Sequence, residues 1–411
     1  MYYDRAEYYQ LKKISTMAYN FDEIIDRSHS DCLKYGVLDE RWGRTDLLPL
    51  WVADMDFRTP NFIIDALRTR LEHEILGYTI PHPEWKDSII NWQQKRNGYT
   101  IKREELTFVP GIVRGIAFVL QSFTQPGDKV MVFSPVYHPF FLVTEDNGRD
   151  VVRFPLTLSE ANHYEIDFNL LRQLLQGVKV LILSNPHNPG GRVWTLNELK
   201  HIAELCQDSG TLVISDEIHA DLTLAPYHHV PFACVSETAR QNSITFGSPS
   251  KAFNSPGIIS SYVIVHNEAI RNKLKSYLAA SELDEGNMFA QLVTVTAYTQ
   301  GEEWLEQVKA YIADNIRFVE EYLQENIPQI RPMHTEASFL IYLNCRDLGL
   351  SHEQLLNLFI DKAHLALDDG RKFGEEGTGF MRLNVATPLS VLRQALNQLK
   401  DALKSTNYNN K

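Results

Sequence analysis

The chain has 411 residues, 44% of them hydrophobic and 22% charged, and a formal net charge of −12. That length allows a large core and favours two domains. A balance this acidic argues against nucleic acid as a main partner, since no face could be strongly basic without a still more acidic remainder. The cysteines Cys32, Cys206, Cys234 and Cys345 form no C-x-x-C pair, no apolar run reaches the length of a membrane span, and Asp4, Glu7, Lys12 and Lys13 stand where a signal peptide needs an apolar core. The expectation is a cytoplasmic protein with reduced thiols and no membrane contact.

Residues 1–16, rich in tyrosine and charge, precede Met17 and read as an N-terminal extension outside the fold. Residues 17–60 read as an N-terminal segment that contributes to a smaller domain and to the entrance of a site. Within it, Tyr19 to Cys32 is polar and helix-compatible, and Leu48 to Phe57 is an apolar strand carrying Asp54 and Asp56. Taken singly, those aspartates read as turn caps. Thr59-Pro60 leads into a helix over Asn61 to Arg70, and Gly77-Tyr78-Thr79 lies in the connection to a second helix marked by Trp85, Ile89, Ile90 and Trp92.

Leu106 to Val109 is a short strand that stops at Gly111, where Ile112, Ile116, Val119, Leu120 and Phe123 take up helical spacing. Backbone N–H groups at Gly111, Ile112 and Val113 would then face the positive end of a helix dipole, a natural seat for a phosphate. The same alternation repeats down the chain. Lys129 to Phe133 leads to Tyr137, and Val178 to Leu183 opens into a run of turn residues containing Asn185 and Asn188. Thr195 to Glu198 has the form of a capping box, and the helix it opens ends at Gly210. Thr211 to Ser215 delivers Asp216 and His219, and Ser243 to Phe246 delivers Ser248-Pro249-Ser250-Lys251.

Buried-type strands alternating with amphipathic helices indicate an α/β fold, a mostly parallel sheet covered by helices on both faces, over residues 61–290. Ligands of such sheets bind beyond the carboxyl ends of the strands, the rim to which Gly111, Tyr137, Asn188, Asp216 and Lys251 all fall. From about Asn287 the spacing of Trp304, Val308, Ile312, Ile316, Val319 and Leu323 predicts a long amphipathic helix joining the two domains. Residues 291–405 then read as a smaller α+β domain, with strands at Ser338 to Leu343 and Phe380 to Val385 and helices at Glu353 to Lys362 and Ser390 to Leu403. Arg382 is the basic residue of the apolar strand, and Thr406 to Lys411 reads as a disordered tail. The histidines show neither H-E-x-x-H nor H-x-H spacing, so no metal is expected.

Asn188-Pro189-Gly190-Gly191, Asp216-Glu217-Ile218-His219, Ser248-Pro249-Ser250-Lys251 and Arg382-Leu383-Asn384-Val385, in that order, resemble the fold-type I pyridoxal-phosphate enzymes of the aspartate aminotransferase superfamily, over roughly residues 20 to 400. With Trp51 to Phe57 added, the chain resembles the MalY/PatB-type C–S lyases, or cystathionine β-lyases. The resemblance implies a cofactor, pyridoxal 5'-phosphate, on Lys251, which would also act as the general base. It implies Asp216 at the ring nitrogen, Asn188 at the phenolate oxygen and Tyr137 stacked on the ring. His219, which stands where many aminotransferases carry a tyrosine, either lines the cofactor or fills the core. Gly111, Ile112, Val113, Ser248 and Ser250 would hold the phosphate. No arginine follows the lysine between Asn254 and Tyr262, which raises the weight placed on Ser248. Arg382 would clamp the α-carboxylate of an amino-acid substrate, and Tyr78 would come from the second subunit of a homodimer. The implied reaction is α,β-elimination from cystathionine or a related cysteine S-conjugate, giving a thiol, pyruvate and ammonia. The alternatives are an aminotransferase and, in another class, a regulatory or binding protein that retains the fold.

Overall fold

The computed structural model describes residues 19–405. The extension at 1–16 and the tail from Thr406 lie outside the described residues. A seven-stranded sheet is built from β1 (Leu106–Val109), β2 (Lys129–Ser134), β3 (Asp150–Pro155), β4 (Val178–Ser184), β5 (Leu212–Asp216), β6 (Ser243–Gly247) and β7 (Ser261–Ile264). Its spatial order is β1-β7-β6-β5-β4-β2-β3. β7 runs antiparallel to both its neighbours, and every other pairing is parallel.

The near-continuous apolar strands are explained by what covers them. Val130, Val132, Ile182, Ile214 and Ile244 bury against Ile116, Val119 and Leu120 of the helix Ile112–Phe123. On the opposite face Met131, Phe133, Leu181, Leu183 and Val213 bury against Trp194, Leu199, Ile202 and Ala203. Side chains alternate along a strand, so a strand covered on both faces has no polar position to spare. The capping box forms as read: Thr195 Oγ1 accepts the Glu198 N–H at 3.3 Å, and a Glu198 carboxylate oxygen accepts the Thr195 N–H at 2.9 Å. Gly210 closes that helix in the left-handed region.

A second, four-stranded sheet has the order β8 (Arg331–Pro332), β9 (Leu340–Asn344), β11 (Phe380–Asn384), β10 (Asp368–Asp369), all antiparallel. Its register sets Tyr342 and Asp368 on either side of Arg382. The helix Leu389–Ser405 follows. Leu48–Pro49 pairs in parallel with Leu365–Ala366, tying the N-terminal segment to this part of the chain.

Local pattern misleads in two stretches. Tyr19 to Cys32 is not helical; it is irregular, with turns over 28–31, and Phe21 is wedged against Phe57, Trp304 and Tyr311. The single long helix expected after Asn287 is two, Met288–Gln300 and Glu302–Asn326, so the expected boundary at 290 falls inside the first. The break is at Gly301, where a Cβ would run into the ring of Phe253 and the carbonyl of Ala297. Gly301 has an ordinary helical φ of −87°, so space and not conformation demands glycine there. Gly301→Ala is expected to destabilise the fold by about 2 kcal/mol through overpacking, read as a lower urea midpoint with an unchanged slope.

Candidate active site

An irregular strap, Leu50 to Phe57, crosses the carboxyl rim of the large sheet. It has no strand partner, yet its carbonyls are satisfied one after another from elsewhere. Leu50 accepts the Asn384 N–H at 3.0 Å, and Trp51 accepts from Arg382 Nη2 at 3.2 Å. Val52 and Asp54 both accept from Asn384 Nδ2 at 2.6 Å, and Ala53 accepts from Lys251 Nζ at 2.6 Å. Met55 and Phe57 accept from Asn254 Nδ2 at 3.0 and 2.7 Å, while Asn254 Oδ1 accepts the Met55 N–H at 2.9 Å.

The strap's aspartates do not cap turns. Lys34 is fully buried, with Nζ 2.8 Å from Asp56 and 3.7 Å from Asp54, and Arg27 binds the same two carboxylates at 2.7 and 2.6 Å. Two positive and two negative charges thus close on each other, which is what burial of an ion cluster requires.

Beneath the strap lies a cavity of about 280 Å³. Nine of the residues singled out from sequence line it: Gly111, Ile112, Val113, Tyr137, Asn188, Asp216, His219, Ser250 and Lys251. Gly111 has φ 104° and ψ 146°, a conformation only glycine adopts comfortably, and it turns the chain from β1 into the helix Ile112–Phe123. Its own N–H bonds to the Val109 carbonyl at 2.9 Å, so the open donors begin at Ile112. Gly111 therefore shapes the turn where it was expected to donate. Lys251 and Ala53 also line a wider groove of about 960 Å³ that holds Arg27, Asp54, Asp56 and Arg58, so the lysine stands where the cavity meets the outside.

The other candidates stand elsewhere. Ser248 does not line the cavity; its hydroxyl donates to the Ser260 carbonyl at 2.6 Å and accepts the Ser250 N–H at 3.1 Å, so the expected order of the two serines is reversed and Ser250 faces inward. Arg382 lies behind the wall, joined to it by Nη1–H donation to Asn188 Oδ1 at 3.2 Å. Its Nη2 binds Asp368, the residue opposite it in the sheet, its plane covers Phe373 at 4.7 Å, and its buried Nε has no partner. Tyr78 is wholly exposed on the loop after Asn61–Leu71 and does not touch the cavity. Asn185 is structural, donating to the Val230 carbonyl at 3.1 Å.

Sequence reading passed over Asn254, Asn384 and Asp368. The available signal was a polar residue in an apolar setting: apart from Arg382, Asn384 is the one polar residue of the buried strand Phe380–Asn384, and such a residue must be bonded to something.

Burial drives the electrostatics. It lowers the Lys251 amine to about 8 despite the opposing pull of Asp54 and Asp216. It raises the Asp216 carboxyl to about 7, against the bond from the Ile218 N–H. It lowers His219 to about 3, leaving a neutral imidazole whose buried Nδ1 has no partner. A carboxyl raised to about 7 and an amine lowered to about 8, opening on one cavity, can each exchange a proton with a bound molecule near neutrality, and Asp216 suits a cationic N–H.

A family profile for aminotransferase class I and II matches residues 45–399. Cystathionine beta-lyase PatB of Bacillus subtilis is 40% identical, across 93% of this chain and 100% of that protein. Among solved structures, cystalysin from Treponema denticola, which contains a pyridoxal 5'-phosphate cofactor, superposes with a TM-score of 0.91 at 32% identity, covering 95% of this chain and 100% of that one. The PLP-bound C–S lyase from Staphylococcus hominis does so with a TM-score of 0.87 at 32% identity, over 94% and 99%.

The position of Lys251 is testable without any ligand. An amine-directed acylating reagent, followed at Lys251 by peptide mass spectrometry, is expected to reach half its limiting rate near pH 8, because the ammonium that predominates below that pH cannot attack. Half-reaction near pH 10.5, the ordinary lysine value, would contradict the burial account.

Proposed function

The chain belongs to the class I and II aminotransferase family, and on that footing we propose that it is a pyridoxal-phosphate-dependent carbon–sulfur β-lyase. It would cleave cystathionine or related S-substituted L-cysteines to a thiol, pyruvate and ammonia. The observation that carries this reading is the opening of Lys251 and Asp216, at the ends of adjacent strands, onto one cavity that also receives a helix N-terminus. The donor set fits the cofactor. The Ile112 and Val113 N–H groups and the Ser250 hydroxyl suit a phosphate at one end, and Asp216 suits a protonated ring nitrogen at the other. The orphaned Nδ1 of His219 lies in the same wall.

When bound, pyridoxal phosphate supplies an aldehyde for covalent attachment and a ring that withdraws electrons from the substrate's α-carbon. Lys251 Nζ would anchor it and then take the α-proton, work suited to an amine lowered to about 8. Asp216 would hold the ring nitrogen's proton in place, and Asn188 and Tyr137 would fix the ring between them. Arg382, already charge-paired with Asp368, would offer its unpartnered Nε–H to the α-carboxylate. The strap closes over the lysine and sheds water from it. As the β-carbon–sulfur bond breaks, the electron pair leaves on the thiolate.

A second copy of the chain would complete the site. Leu71, Ile75, Leu76, Tyr78 and Ile80 are exposed in sequence, an apolar arm that suits a partner subunit and would carry Tyr78 to that subunit's lysine. The four free cysteines agree with a cytoplasmic location, and no helix among the described residues is long and apolar enough to cross a membrane.

Purified protein given L-cystathionine and no keto-acid acceptor is expected to release pyruvate and a free thiol in equal amounts; turnover only after an acceptor is added would mark an aminotransferase. Lys251→Ala is expected to abolish turnover and leave nothing for borohydride to fix at position 251. Mixing inactive Lys251→Ala with inactive Tyr78→Ala protein tests the shared site. If tyrosine and lysine come from different subunits, exchange restores about a quarter of wild-type activity, because half the dimers then hold one intact site. No recovery after verified exchange would put both residues in one subunit.

A further inference from the structure

The phosphate end of the cavity has less positive charge than a dianion calls for. Between Asn254 and Tyr262 the sequence holds neither lysine nor arginine. The helix Ile112–Phe123 offers about half an elementary charge at its N-terminus, and Ser250 offers a neutral hydroxyl. Of the cavity's lining side chains, the cationic ones are Lys251 and Arg114. Lys251 Nζ donates to the Ala53 carbonyl at 2.6 Å and is the group that the cofactor's aldehyde would consume.

We infer that Arg114 is the cationic ligand of the cofactor's phosphate, supplied from the helix that receives that phosphate and not from the loop after the lysine. Arg114 is the third residue of the helix, directly after the open N–H donors of Ile112 and Val113, and from an exposed position it lines the same cavity as Ser250. Its guanidinium makes one hydrogen bond among the described residues, from Nη1 to the Pro110 carbonyl at 3.2 Å, one turn back. The side chain is therefore folded toward the helix N-terminus, with most of its donors uncommitted. Independent of the helix, the cavity holds a buried, unpartnered polar group: His219 is 4% exposed and its Nδ1 has no partner, so the wall is built for a polar guest. A planar fork beside two backbone N–H groups suits three phosphate oxygens.

This inference rests on the cofactor reading above, and the test separates the two. Apoprotein is titrated by fluorescence quenching with pyridoxal phosphate and, separately, with pyridoxal, which has the same aldehyde and ring but no phosphate. Arg114→Gln is expected to weaken pyridoxal phosphate about tenfold and to leave pyridoxal unchanged. Arg114→Lys is expected to recover part of the loss, and the difference between wild type and Arg114→Gln should shrink as salt is raised. Equal affinity of Arg114→Gln and wild type for pyridoxal phosphate would overturn the inference, and so would an equal loss for both ligands. Wild-type protein that binds neither ligand would overturn the cofactor reading itself. Should the variant not fold, wild-type protein treated with phenylglyoxal gives the same answer. Arg114 should be protected by pyridoxal phosphate and not by pyridoxal, and modification at the same rate in all three conditions would refute the assignment.

Discussion

The site depends on how a length of backbone without a sheet partner is kept in place. Eight residues crossing a protein interior outside any ladder would leave a row of carbonyls desolvated, at a cost of about 1–3 kcal/mol for each one unpaired. Here the carbonyls from Leu50 to Met55 find donors on Lys251 and Asn254 of one loop and Arg382 and Asn384 of one strand, both far from the strap in sequence. Two of those donors are the residues expected to do chemistry. The segment that covers the lysine is therefore shaped by that lysine and by the arginine behind it. Satisfying the backbone and building the pocket are one event.

The same coupling governs charge. Lys251 is drawn toward the neutral amine by burial, while Asp54 and Asp216 pull it back toward the ammonium. Asp54 can exert that pull because Arg27 and Lys34 hold it in a closed cluster beside the strap. Arg382 is likewise never alone, since Asp368 sits opposite it by sheet register and Lys372 binds the same carboxylate at 2.7 Å. Asp54, Asp56 and Arg382 thus arrive with counter-charges fixed by the fold, whereas Lys251 and Asp216 have no ion pair among the described residues and are moved toward neutrality by burial.

Much of this was legible in the sequence, and the pattern of what was not is physical. Strands covered on both faces write themselves as apolar runs, and a parallel sheet sends the ends of those runs to one rim. Gly111, Tyr137, Asn188, Asp216 and Lys251 could thus be grouped before any coordinates. Direction within a loop is another matter. Ser248 and Ser250 are two residues apart with identical chemistry, and which one faces the cavity depends on a bond to the carbonyl of Ser260, contributed just before the antiparallel β7. The break at Gly301 was hidden for a similar reason, because it answers to the ring of Phe253 from a distant turn. The irregular run from Tyr19 owes its shape to the aromatic cluster around Phe21, which local periodicity does not record.

The strap's bonds have a further consequence for how such a protein can change. They are made to main-chain oxygens, which every amino acid possesses, by side chains that stand elsewhere. Substituting Val52 or Ala53 alters what the pocket presents and leaves its carbonyls bonded as before; substituting Asn254 or Asn384 removes several bonds at a stroke. Tolerance and constraint are thus sorted onto different segments. A variant library confined to Val52 and Ala53 would sample new substrate preferences on an intact scaffold, with the asparagines left as fixed pegs beneath it.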